Sequence, residues 1–134
     1  MDEPDRFERL REQSPAARRG DLEFGRSLAL GFTGVNRPER LLAHLAQSSG
    51  EEDLASRLTG LTWALTARRM NDPDYFGRCL GGASPEGRVL LERLPVLCEE
   101  SLAASRRYTE WQERTREAVR RAYFDARTSL PAGS

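Results

Sequence analysis

The residues able to do acid–base, nucleophilic or metal chemistry are few and far apart. His44 is the only histidine, set in RLLAHLAQSSG on a leucine-rich stretch, and Cys79 and Cys98 are the only cysteines. A lone histidine at the edge of an apolar stripe reads as a packed or surface side chain. A phosphotransfer histidine would be followed by a lysine and a close glycine, where this chain has Leu45, Ala46 and Gln47. No Glu-x-x-His pair offers helical metal ligands, and a catalytic triad has no base at hand. Gly31-x-x-Gly34 and the glycines from Gly77 to Gly87 follow no strand pattern and lack the phosphate-loop lysine, so they read as helix punctuation. The two cysteines lack paired metal spacing and read as packed thiols rather than a disulfide. The expectation is a protein without catalysis, metal or cofactor.

The charged residues carry more information. Twenty-one arginines and no lysine stand against twenty-one acids. Every cation is therefore a planar guanidinium, the group that forks onto carboxylates and phosphates and stacks on rings. A GC-rich coding sequence explains this composition; selection for phosphate contact, or against lysine modification, is the functional alternative. A formal net charge of zero argues against a free-standing protein that grips nucleic acid by bulk electrostatics. The distribution is uneven, however: residues 14–50 hold five arginines and three acids, and residues 101–134 seven and four. Arg107, Arg114 and Arg121 recur every seven residues along one flank of the terminal helix, while Arg116, Arg120 and Arg127 share the other. At a rise of roughly 1.5 Å per residue the repeat is about 10 Å, a spacing that can follow a phosphate backbone. Glu110 before Arg114 and Glu117 before Arg121 provide the competing arrangement, a solvated helix that pairs its charges internally. Arg37 and Arg40, at the start of a short helix, form a further weak anion-site candidate.

These residues are positioned by helices. Chain length suits one domain over residues 1–134, and the apolar spacing predicts a single all-α bundle of about five to six helices with a long C-terminal helix. An acidic helix covers 1–13 and a second runs from Pro15 to about Leu30, followed by a loop marked by Gly31, Gly34 and Asn36. A short helix carries Leu41, Leu42 and Leu45, and a longer one runs from Glu51 to Met70 with Leu54, Leu58, Leu61 and Leu65 as its core stripe. Asp72–Pro73 and Ser84–Pro85 each start another, with the cap before the proline. Pro95 either kinks the last of these or opens a new helix, and no proline or glycine intervenes between it and Arg127. The expected terminal helix is therefore about thirty residues long, with Leu97, Ala104, Tyr108, Trp111, Ala118, Val119 and Ala122 inward and a frayed tail at 130–134. Trp63 lies roughly opposite the leucine stripe with Met70 on its side of the wheel. Either the helix is packed on both sides, or Trp63 and Met70 form a protein interface.

The middle helix SRLTGLTWALTARR, the glycine-punctuated turn after it and the terminal helix RRYTEWQERTREAVRRAYFDAR together resemble the small all-helical subunits of multisubunit CRISPR effector complexes. The resemblance covers most of the chain. It implies a non-catalytic bundle that sits along a guide-RNA filament and contacts the backbone subunits, further copies of itself, and the RNA or DNA backbone. Carried onto this sequence, the nucleic-acid contacts fall on Arg18, Arg19, Arg26, Arg37, Arg40, Arg107, Arg114, Arg120 and Arg121. The competing class is a helical adaptor, inhibitor or chaperone that binds protein only. No apolar run approaches the roughly 18 residues of a membrane span, and the acidic N-terminus differs from the basic start of a signal peptide. The expectation is a cytoplasmic protein with no membrane partner.

Overall fold

The computed structural model describes residues 16–130, with side chains from Gly20 onward. The expected helix over 1–13, the side chains of Arg18 and Arg19, and the tail beyond Leu130 lie outside the described residues. Six α-helices follow in order: α1 (Ala16–Gly34), α2 (Pro38–Ala46), α3 (Glu51–Asn71), α4 (Pro73–Leu80), α5 (Pro85–Ala104) and α6 (Tyr108–Ala126), with a 3-10 turn at Arg127–Ser129. Among the described residues there is no strand, so the all-α bundle expected from the sequence is what forms. No helix of the described residues is long and apolar enough to cross a membrane.

The capping residues act where their chemistry places them. Asp72 Oδ1 accepts a hydrogen bond from Tyr75 N at 3.1 Å, and Ser84 Oγ accepts from Gly87 N at 3.1 Å. Each satisfies an orphan amide in the first turn, with proline at the adjacent helical position. In α3, Glu51, Glu52 and Asp53 occupy the first turn and Arg68 and Arg69 the last, the order the helix dipole favours.

Helix α3 is the centre of the bundle and touches all five others. Its Leu58, Leu61 and Leu65 are fully buried, in one apolar cluster with Leu41 and Leu45 of α2, Leu91 and Leu94 of α5, and Val119 of α6. Helices α1 and α3 run parallel, because Gly20 faces Ser56, Gly60 faces Phe24 and Leu28, and Gly31 faces Ala64. A Cβ on Gly31 would lie 2.6 Å from the Ala64 methyl, and one on Gly60 would meet the Phe24 carbonyl oxygen. These glycines serve close helix approach. The expected loop at Gly31 and Gly34 is therefore corrected: α1 continues through Gly34, and the turn is Val35–Arg37, closed by Arg37 N donating to Gly34 O at 2.8 Å.

A second correction concerns the C-terminal third. The single helix expected from Pro95 to Arg127 is two, with Pro95 buried inside α5 and an elbow at 105–107. Ser105 Oγ donates to Ser101 O at 2.6 Å, Ser105 N donates to Leu102 O, and Ser105 is extended at φ −109°, ψ 147°. A serine that bonds back to the preceding turn offers the chain an exit without glycine or proline. The physical pressure for that exit is burial. A straight helix of thirty residues would span about 45 Å and carry Trp111 and Val119 away from any partner. Folding back instead sets α6 against both α3 and α5. It runs antiparallel to α3, with Trp111 on Trp63 and Arg116 reaching Glu52 near the α3 N-terminus.

Candidate functional site

Two regions hold unusual chemistry, and they differ in access. The first is a polar network sealed between α1, α2 and α3. Arg57 is 7 % exposed and Glu23 1 %. Arg57 Nε lies 3.3 Å from Glu23 Oε2 and 3.2 Å from Asp53 Oδ2, and its Nη1 donates to His44 O at 2.7 Å. Asp53 also accepts from Ser49 N at 2.8 Å, so the α2–α3 connection is tied to the same carboxylate. A buried guanidinium is retained only when acids and carbonyls replace its water, and this one has both.

His44 sits in this network at 7 % exposure. Ser27, fully buried, places its Oγ 2.8 Å from His44 Nε2. A serine–histidine contact invites comparison with an activated nucleophile, but the other ring nitrogen decides against it. Arg57 Nη1 stands 3.4 Å from His44 Nδ1. Arginine is a donor only, so Nδ1 must be the accepting nitrogen and Nε2 carries the hydrogen. The ring therefore donates to Ser27 and cannot take its proton. Burial, then the Arg57 and Arg26 charges, push the His44 pKa down to about 4, against a smaller opposing pull from Asp53. His44 is thus a neutral spacer that joins α1 to α2.

Sequence reasoning treated His44 as a packed or surface residue and missed Arg57 altogether. Arg57 stands three after Leu54 and four before Leu61, a core position on the α3 stripe, and that placement of a cation was the available signal.

The second region is the α5–α6 elbow and the end of the bundle beside it. Here the expected arginines separate by pairing. Arg114 Nε is 3.0 Å from Glu110 Oε1, Arg121 Nη2 is 3.5 Å from Glu117, and Arg120 bridges Glu51 and Glu117 at 3.6 Å each. Among the described residues, Arg37, Arg40, Arg78, Arg93, Arg106, Arg107 and Arg127 are exposed and carry no ion pair, Arg127 lying over the Phe124 ring. Arg26 is half-buried on α1 beside the sealed network. Glu39 Oε1 accepts from Ser84 N at 3.1 Å, which holds the start of α2 against the start of α5. Arg37 and Arg40 therefore stand at one end of α5 and Arg107 past the other, roughly 30 Å away for a helix of this length. They are two groups rather than one cluster.

No family model, curated protein or solved structure matches this chain.

The aromatic side chains complete the second region. Trp63 is half-buried and meets Trp111 with ring centroids 4.4 Å apart, a contact that joins α3 to α6. Trp111 Nε1 donates to Cys98 O at 3.0 Å, which fixes that ring against α5. Burial raises the pKa of the Cys98 thiol, and both cysteines are free. Met70, paired with Trp63 in the sequence reading, is instead 72 % exposed. Tyr108 and Ala104, expected inward, are also outside. Tyr108, 63 % exposed, meets Trp111 edge-on at 5.8 Å and 69°. Two open grooves of about 460 and 490 Å³ flank α6, and neither is lined by a histidine or cysteine.

Proposed function

We propose that this protein is a non-catalytic helical subunit of a nucleoprotein assembly, holding RNA or DNA by its phosphate backbone. This is the role implied by its resemblance to the small subunits of CRISPR effector complexes. The observation that carries the proposal is the division of the arginines. The guanidinium groups of Arg114, Arg116, Arg120 and Arg121 have each found a surface carboxylate, in Glu110, Glu52, Glu51 and Glu117. Those of Arg37, Arg40, Arg106 and Arg107 have not, among the described residues, and phosphate is the ligand that suits an unpaired, exposed guanidinium. A non-catalytic role agrees with the sealed Ser27–His44 contact, whose hydrogen-bond direction removes the base.

The reading is tested by measuring binding of the full chain to a fluorescent single-stranded RNA at low salt. Joint replacement of Arg37, Arg40 and Arg107 by Glu should abolish binding and leave the helical content unchanged. Failure of the native chain to bind, or an affinity unaltered by these replacements, overturns it. A second reading, a protein-interaction module without nucleic acid, is favoured by the exposure of Met70, Leu102 and Tyr108 at one end of the bundle.

A further inference from the structure

Three apolar stripes run off the same end of the core. On α3 the stripe passes from Trp63 to Met70, on α5 from Cys98 to Leu102, and on α6, which runs antiparallel, from Trp111 back to Tyr108. The contacts among Trp63, Trp111 and Cys98 form the last closed layer. Beyond it Met70 is 72 % exposed, Leu102 53 % and Tyr108 63 %. Among the described residues no helix covers these side chains, which leaves an open apolar end.

The elbow supplies the charge at this end. Arg106 and Arg107 follow one another where Ser105 and Arg107 are both extended, the latter at φ −127°, ψ 152°. The chain bends at both arginines, and both side chains are exposed there. An occupant of this end must offer flat apolar surface together with negative charge.

We infer that the open end is a stacking site for single-stranded nucleic acid, with a base on the Tyr108 ring and the flanking phosphates on Arg106 and Arg107. This rests on the backbone-contact reading above and narrows it. Tyr108 touches Trp111 at 69° between the ring planes and is still 63 % exposed, so much of its ring is open to a ligand. A base is the planar group that fills such a face, and aromatic stacking accepts any base. A duplex keeps its base faces stacked against one another, so they are not free to stack on Tyr108.

The full chain is titrated with a fluorescent oligo-dT and with a duplex of equal length. The single strand should bind tighter than the duplex and quench tryptophan fluorescence. Tyr108→Ala should weaken single-strand binding about tenfold, as expected for loss of one base–aromatic stack, and Tyr108→Phe should not. The Tyr108→Ala variant should keep the salt slope, whereas Arg106→Gln with Arg107→Gln should reduce it. If binding is salt-sensitive but indifferent to Tyr108→Ala, stacking is overturned and backbone contact stands. If neither single strand nor duplex binds, both fall. If Tyr108→Ala leaves oligonucleotide binding intact and instead disrupts a protein complex, the end belongs to a protein partner and the inference is overturned.

Discussion

Arg57 and the Arg106–Arg107 pair are the same chemical group in opposite surroundings. Arg57 is enclosed by Glu23, Asp53 and the His44 carbonyl; the elbow pair stands in solvent without an ion-pair partner among the described residues. The contrast shows that the arginine composition has no single meaning. A guanidinium inside the bundle has spent its hydrogen-bonding capacity on the fold, and one outside retains it for a ligand. Stability and binding should therefore respond to different arginines.

The largest expected effect lies in the sealed network. Arg57→Ala should cost about 3–5 kcal/mol, because it removes the buried guanidinium that Glu23 and Asp53 share. Adding Glu23→Gln should recover part of that loss, and urea denaturation of the single and double variants measures it. Additive losses would show that the two side chains are not coupled.

A smaller effect follows from His44. Its folded pKa of about 4 lies below the ordinary 6.5, so the unfolded chain takes up the proton first as pH falls. The neutral ring's contribution is complete above pH 6.5, diminishes between 6.5 and 4, and is lost below that. The total is on the order of 3 kcal/mol at 1.36 kcal/mol per pH unit of displacement. Comparing unfolding free energies of native chain and His44→Gln at pH 7 and pH 4.5 isolates this from the carboxylates. The native chain should lose more stability than the variant; equal losses would contradict the burial of a neutral ring.

The smallest effect marks the boundary between the regions. Thr115 is fully buried on α6 and its Oγ1 has no hydrogen-bond partner among the described residues. Exchanging the hydroxyl for a methyl removes a desolvated polar atom, so Thr115→Val should leave thermal stability unchanged or raise it by up to about 1 kcal/mol. A clear decrease would mean that the hydroxyl is bonded in solution.

Local signals in the sequence carried much of this architecture. Asp72–Pro73 and Ser84–Pro85 marked their helix starts because a cap and a proline act within one turn. The leucine stripe of α3 marked the core because periodicity alone sets which face is buried. What escaped depends on neighbours distant in the chain. Gly31 reads in the sequence as a loop signal, although the absence of its side chain matters only because Ala64 lies against it. The elbow at Ser105 was invisible because no breaker stands there, and the return of α6 is driven by contacts with α3 formed only in the folded state. Of the candidate site, the arginines were legible as residues. Their separation into paired and unpaired sets was legible only for Arg114 and Arg121, whose acids lie four residues before them.

The measurement that tests the central contrast most directly is the dependence of single-strand affinity on salt for two neutralised variants of the full chain. One carries Gln at 37, 40 and 107, the other Gln at 114, 120 and 121. With about 0.7 counterions released per phosphate contact on a single strand, the first variant should lower the slope of log K against log salt by about 2. The second should leave it nearly unchanged. Equal slopes in the two variants, or a larger change in the second, would contradict the division of this protein's surface arginines into those paired with glutamates and those that bind.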